Sequence, residues 1–115
     1  MKTVVGFEEY VTVLGKKKTK KVLARIDTGA TRTSIDTALA KTLGLGPVVR
    51  YMKVTSSHGT SMRGLVVARI RIANRTFKVT CALSDRKNMN YSILIGRNIL
   101  KHDFVVDSAK KAGDS

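Results

Sequence analysis

Tryptophan is absent from this sequence, proline and cysteine each occur once, and only eight side chains are acidic. A lone cysteine, Cys81, excludes an intrachain disulfide, and nothing else argues for an oxidising compartment, so a cytoplasmic protein is expected. No apolar run approaches the roughly 20 residues of a membrane-spanning helix, and none of signal-peptide type opens the chain, so no membrane partner is expected. His58, Cys81 and His102 are the only soft metal-ligand candidates, and none is spaced as a ligand pair. His-Glu-x-x-His and Gly-rich phosphate loops are missing as well. Neither a metal nor any other cofactor is therefore expected.

What the chain does carry is positive charge. Its 22 lysines and arginines leave a formal +14 over 115 residues, an excess that attracts polyanions: nucleic acid, anionic lipid or acidic polypeptide. The densest run, Lys16 to Lys21, holds five lysines in six residues. Without an interleaved aromatic it lacks the stacking partner that single strands use, so a solvated hairpin tip is preferred to a nucleic-acid patch. The 43% hydrophobic share is that of a globular chain, and the length suits one domain with one core.

Along the chain, short alternating runs and turn signals dominate. Residues 3 to 14 read as a strand or bent pair of strands, and a second strand ends at Ile26. The run Thr31 to Ile35 is expected to continue as a strand. Asp36 or Thr37 then caps a short helix that Gly44 terminates. The chain is extended from Val48 to Val54, polar across Thr55 to Ser61, and apolar again from Met62 to Ile72, which describes a hairpin with a flexible tip. Ala73-Asn74-Arg75 turns the chain into Thr76 to Leu83, where Cys81 alternates with Phe77, Val79 and Leu83 as a buried, inert thiol. A single helical turn is expected over Asn98 to Lys101 and a closing strand at Phe104 to Asp107. The fold class is mainly β, a small closed barrel with one or two short helices. The domain spans residues 1–107, and the polar tail 108–115 is expected to be disordered.

Two stretches carry chemistry. Arg25-Ile26-Asp27-Thr28-Gly29-Ala30 closes a period-two strand on a carboxylate, a hydroxyl and a glycine, a pattern that also suits an ordinary Asx turn. Far downstream, Tyr91-Ser92-Ile93-Leu94-Ile95-Gly96-Arg97-Asn98-Ile99-Leu100 is an apolar strand that stops at glycine and enters a helical turn. Asp-Thr-Gly-Ala early in a chain of this size, with Gly-Arg-Asn late, resembles the retropepsin-like aspartic proteases over roughly residues 5 to 107. Gly6 to Val11, Asp85-Arg86 and Met89-Asn90-Tyr91 look more narrowly like a prokaryotic retropepsin-like family often labelled ATP-dependent zinc proteases. Some of its members accompany ligases that attach glutamates to proteins.

The resemblance implies a specific site. One Asp-Thr-Gly supplies one carboxylate, and water-mediated hydrolysis needs a base and an acid, so a homodimer pairing two copies of Asp27 is implied. Such a pair shares a proton and gives a bell-shaped pH profile, as known aspartic proteases do. Thr28 would knit the two loops together, and Gly29 and Ala30 would let substrate backbone approach. The flap tip Ser56, Ser57, His58 and Gly59 would close over an extended peptide. Arg32, Arg86 and Arg97 near the cleft would favour acidic, glutamate-rich polypeptides. Retroviral enzymes follow Asp-Thr-Gly-Ala with an aspartate that pairs with the arginine of Gly-Arg-Asn. Here Thr31 and Arg32 follow, so Arg97 is expected to pair with Asp36 or Asp103, or to face the cleft. The competing reading is a noncatalytic retropepsin-like module that binds an acidic partner or nucleic acid.

Overall fold

Alternating side chains become strands wherever one face of the run can be buried. The computed structural model describes residues 1–113 and contains, in order, β1 (Thr3–Val5), β2 (Glu8–Leu14), β3 (Thr19–Ile26), β4 (Ser34–Asp36), α1 (Thr37–Leu43), β5 (Arg50–Ser56), β6 (Gly59–Ile72), β7 (Arg75–Ser84), β8 (Ile93–Ile95), α2 (Arg97–Leu100) and β9 (Phe104–Val106). Six strands run β2-β3-β8-β4-β7-β6, and β6 pairs back onto β2 through Thr12–Arg71, Val13–Ile70 and Leu14–Arg69. The result is a closed six-strand barrel with two short helices, the retropepsin-like architecture expected from the sequence. Closure leaves these strands no free edge.

The interior follows the period-two pattern. Val11 and Val13 of β2, Ala24 and Ile26 of β3, Ile35, Ile70, Ile72, Ile93 and Ile95 are all buried. Cys81 belongs to the same core, and burial pushes its thiol up to about 12, so it stays protonated and unreactive at neutral pH. The β6–β7 hairpin turns on Ala73 (φ 51°) and Asn74 (φ 64°), the two left-handed residues that a twisted two-residue hairpin requires. β1 and β9 form a separate parallel pair.

Two expectations change. The strand foreseen from Thr31 begins only at Ser34, because Thr33 spends its amide and hydroxyl on Asn98. The tail foreseen as disordered from 108 stays against the barrel as far as Lys110, whose ammonium lies 2.7 Å from the Glu9 carboxylate. Glu9 also accepts from the Gly6 amide at 2.8 Å, so this nearly buried acid is compensated twice. The disorder expected at Asp114 and Ser115 lies outside the described residues. Among the described residues, no helix is long and apolar enough to cross a membrane.

Helix α1 begins where the sequence places it. Asp36 accepts from the Leu39 amide at 3.1 Å as N-cap and from the Arg86 amide at 2.8 Å, which ties the helix to the loop after β7. These amide bonds, the Arg86 one foremost, hold its carboxyl below the ordinary 3.8 against an opposing burial effect. A carboxyl lowered in the fold stabilises fully above its ordinary pKa, and that contribution fades as pH falls through the lowered value. Asp36→Ala should therefore cost about 2 kcal/mol at neutral pH. The gap from wild type should narrow below about pH 4, as denaturant titrations at both pH values will read.

Candidate active site

Parallel pairing of β3 with β8, Arg25 beside Leu94 and Ile26 beside Ile95, sets the two sequence signatures side by side. Immediately beyond the pairing, the Asp27 amide donates to Ile95 O at 2.9 Å and the Arg97 amide to Ala30 O at 2.8 Å. Within the loop, Asp27 Oδ1 accepts from the Gly29 amide at 2.9 Å, an Asx turn that fixes the carboxylate. Gly96 is required here by space: a Cβ would stand 2.5 Å from the Arg32 carbonyl carbon and 3.0 Å from Ala30 O. Behind the loop, Thr33, fully buried, donates to Asn98 Oδ1 from its amide (3.0 Å) and hydroxyl (2.8 Å). Asn98 Nδ2 then donates to Thr80 O at 3.0 Å, and the Gly96 amide to Thr33 Oγ1 at 3.1 Å. A polar network of four residues thus locks the loop, α2 and β7 together.

Asp27 itself is half-buried, while Thr28 and Gly29 are exposed at the loop's edge. It opens on a cavity of about 480 Å³ lined by Phe7, Glu8, Arg25, Ile26, Asp27, Thr28 and Tyr91. The Tyr91 hydroxyl donates to Glu8 Oε2, and this bond raises the phenol's pKa first, ahead of burial and the Glu8 charge. Arg25 was not singled out from the sequence. Its signal was there, because a residue two positions before Asp27 on the same extended run shares its side of the sheet.

Arg86 lies close enough to feel both Asp27 and Arg25. Burial chiefly, then the Arg25 and Arg63 guanidinia, lower its pKa, while Asp36 and Asp27 oppose this. Arg86 is therefore the group at which the Arg25 and Arg63 charges and the Asp36 and Asp27 carboxylates are felt together. Arg86 is itself steered by Nε donating to Tyr91 O at 2.9 Å.

Arg32 and Arg97 belong elsewhere. They line a second cavity, of about 670 Å³, with Thr31, Arg50, Lys78, Val79, Thr80, Asn98, Lys101 and His102. The acidic partner foreseen for Arg97 is not used. Its guanidinium donates to Thr28 O at 3.0 Å and Thr31 Oγ1 at 3.1 Å, so it grips the Asp27 loop directly. Asp36 is occupied by backbone amides, and Asp103 stands 3.3 Å from Lys2. With no acid at position 31, a backbone carbonyl and a hydroxyl take its place.

The foreseen hairpin is present. β5 pairs with β6 alone, from Arg50–Leu65 to Ser56–Gly59, so residues 50 to 64 form a two-stranded ribbon beyond the barrel. Ser57 and His58 make its turn, His58 donates its amide to Ser56 Oγ at 3.3 Å, and Gly59 sits at φ 112°. All four tip residues are exposed, and none lines the Asp27 cavity. Among the described residues no three His, Cys, Asp or Glu side chains converge as a metal site.

A closed barrel that presents Asp-Thr-Gly at a strand end, beside the Gly-Arg-Asn that follows the neighbouring strand, defines the retropepsin-like fold. The chain belongs to the family described as "gag-polyprotein putative aspartyl protease", which it matches over residues 13–102. That match supports the retropepsin-like fold and does not confirm the ATP-dependent zinc label. Among solved structures, a Legionella pneumophila protein of unknown function is similar at TM-score 0.69 and 19% identity, over 98% of each chain. The simian foamy virus protease is similar at TM-score 0.62 and 18% identity, over 82% of this chain and 91% of that one. The EIAV protease complexed with the inhibitor HBY-793 gives TM-score 0.65 and 19% identity, over 82% and 84% respectively. At these identities the likeness is one of fold. No curated protein matches the sequence.

Proposed function

We propose that this protein is an aspartic endopeptidase whose catalytic water lies between Asp27 and the Asp27 of a second copy. The observation that carries the reading is the half-buried Asp27 carboxylate, fixed by the Gly29 amide at a cavity mouth, with the exposed Thr28 and Gly29 beside it. One carboxylate takes a proton from water as the oxygen attacks the peptide carbonyl, and the other protonates the carbonyl oxygen. Collapse then breaks the C–N bond and delivers a proton to the leaving amine. Thr28 would bridge the two loops, and the ribbon tip Ser56 to Gly59 would fold over an extended substrate.

Acidic polypeptides are the preferred substrates, because Arg25 lines the Asp27 cavity and Arg86 lies within electrostatic reach of both. The reduced, buried Cys81 fits a cytoplasmic location.

Glu8 favours a second reading, in which it partners Asp27 within one chain, since both line the same cavity. Its Oε2, however, already accepts the Tyr91 hydroxyl, which leaves it poorly placed to exchange protons with a water on Asp27. Protein concentration separates the two. With a shared site, specific activity on an acidic peptide should rise with concentration and level off as dimers fill, in step with the dimer fraction from sedimentation. Activity per chain that is constant while the protein is monomeric would end the shared-site reading and favour Glu8.

A further inference from the structure

The second cavity has no part in the chemistry described so far and shares no lining residue with the Asp27 cavity. Arg32, Arg50, Lys78, Arg97 and Lys101 converge on it, and among the described residues no carboxylate does. Among the described residues the ion pairs are Lys2 with Asp103 and Lys110 with Glu9. None involves these five cations. Clustered like charges repel one another unless an anion sits among them.

The cavity is also built from fixed parts. Arg97 is held by Thr28 O and Thr31 Oγ1, and Asn98 by Thr33 and Thr80, so the floor is set before any ligand arrives. Lys78 and Lys101 at the rim are exposed and can adapt. A volume of about 670 Å³ falls within the range of ligand sites, about 300–1,000 Å³, and accepts several side chains.

We propose that this cavity is a binding site for a carboxylate-rich stretch of polypeptide. Its lining argues against nucleic acid: the one ring present, His102, is already stacked on Phe77 with centroids 5.5 Å apart, which leaves no platform for bases. Its position argues for a peptide. Thr31 and Arg32 continue directly from the Asp27 loop, and Arg50 opens β5 at the base of the ribbon. A chain leaving the Asp27 cleft along that loop meets these cations some residues away from the bond to be cut. That the bound stretch belongs to a substrate rests on the hydrolytic reading; occupancy of the cavity does not.

The test uses Asp27→Asn protein, so that turnover plays no part, and a short labelled polyglutamate peptide followed by anisotropy at low salt. Reversing Lys78 and Lys101 together (K78E/K101E) should weaken binding about tenfold or more. An equal change of charge at the exposed hairpin lysines (K18E/K20E) should alter it by no more than about threefold. A polyglutamine peptide of the same length should not bind. In the protein without charge reversals, amide resonances of Lys78, Thr80 and Lys101 should shift on adding polyglutamate, a readout independent of how the variants fold. Equal losses from both reversals, or shifts absent from these residues, would overturn the proposal. So would a single-stranded oligonucleotide that binds more tightly than polyglutamate and is released by the same K78E/K101E change. Failure of cleavage assays alone would touch the hydrolytic reading and leave the cavity's occupant standing.

Discussion

Replacing Asp27 with asparagine should lower kcat on an acidic peptide by about three orders of magnitude or more, with fold and dimer retained. The amide is nearly isosteric, and its Oδ1 can still accept from the Gly29 amide, the one hydrogen bond that the carboxylate makes among the described residues. Asp27 is half-buried and joins no ion pair among the described residues, so the folded state loses little. What the amide cannot do is take a proton from water, and a dimer built from two such chains has no general base at all. Thermal midpoint and sedimentation should match the wild type while product formation disappears. Unchanged cleavage by the variant would remove Asp27 from the chemistry. A protein that never cleaves, yet binds acidic peptides equally well with Asp or Asn at this position, would be the binding module that the sequence also allowed.

Much of the fold was legible because it is local. The capped helix α1, the turn at Ala73-Asn74, from which Arg75 departs to open β7, and the ribbon with its polar tip each follow from residues within a few positions of one another. The two signatures could be paired as motifs, but their contact depends on a parallel pairing of β3 with β8 across about seventy residues of chain. Three details were set by such distant contacts. Thr31 to Thr33 has the composition of a strand, and it is a loop because Thr33 bonds to Asn98, 65 positions away. Arg97 binds a carbonyl and a hydroxyl, partners that a search for acidic side chains passes over. Lys110 finds Glu9 across 101 positions. The arginines near Asp27 were legible as a class and not as a set: Arg86 stands beside Asp27, Arg32 and Arg97 line the other cavity, and Arg25, readable from period two, was passed over.

The residue on which the site's rigidity turns is Asn98, and Asn98→Ala should be the most damaging change outside Asp27. Its Oδ1 takes two donors from Thr33, and its Nδ2 caps the Thr80 carbonyl. Truncation leaves an amide, a hydroxyl and a carbonyl without their partner, and Thr33 is 0% exposed, so water cannot stand in there without disrupting the fold. At about 1–3 kcal/mol for each buried polar group left unpaired, the cost is about 3–5 kcal/mol, a large share of the 5–15 kcal/mol that holds a typical domain together. In a chain of this size that lowers the thermal midpoint by roughly 10 °C or more. The Gly96 amide depends on the Thr33 hydroxyl in turn, so the disturbance reaches the next residue, Arg97, whose amide bonds Ala30 O and seats the Asp27 loop. Asn98→Asp is the informative control. It preserves an acceptor for both Thr33 donors but sets a second acceptor against Thr80 O, so it should fall between wild type and alanine in stability. If alanine and aspartate proved equally benign, the loop would have to be held by the Arg97 contacts and the β3–β8 pairing alone, and Asp27 would then be fixed by fewer bonds than its geometry implies.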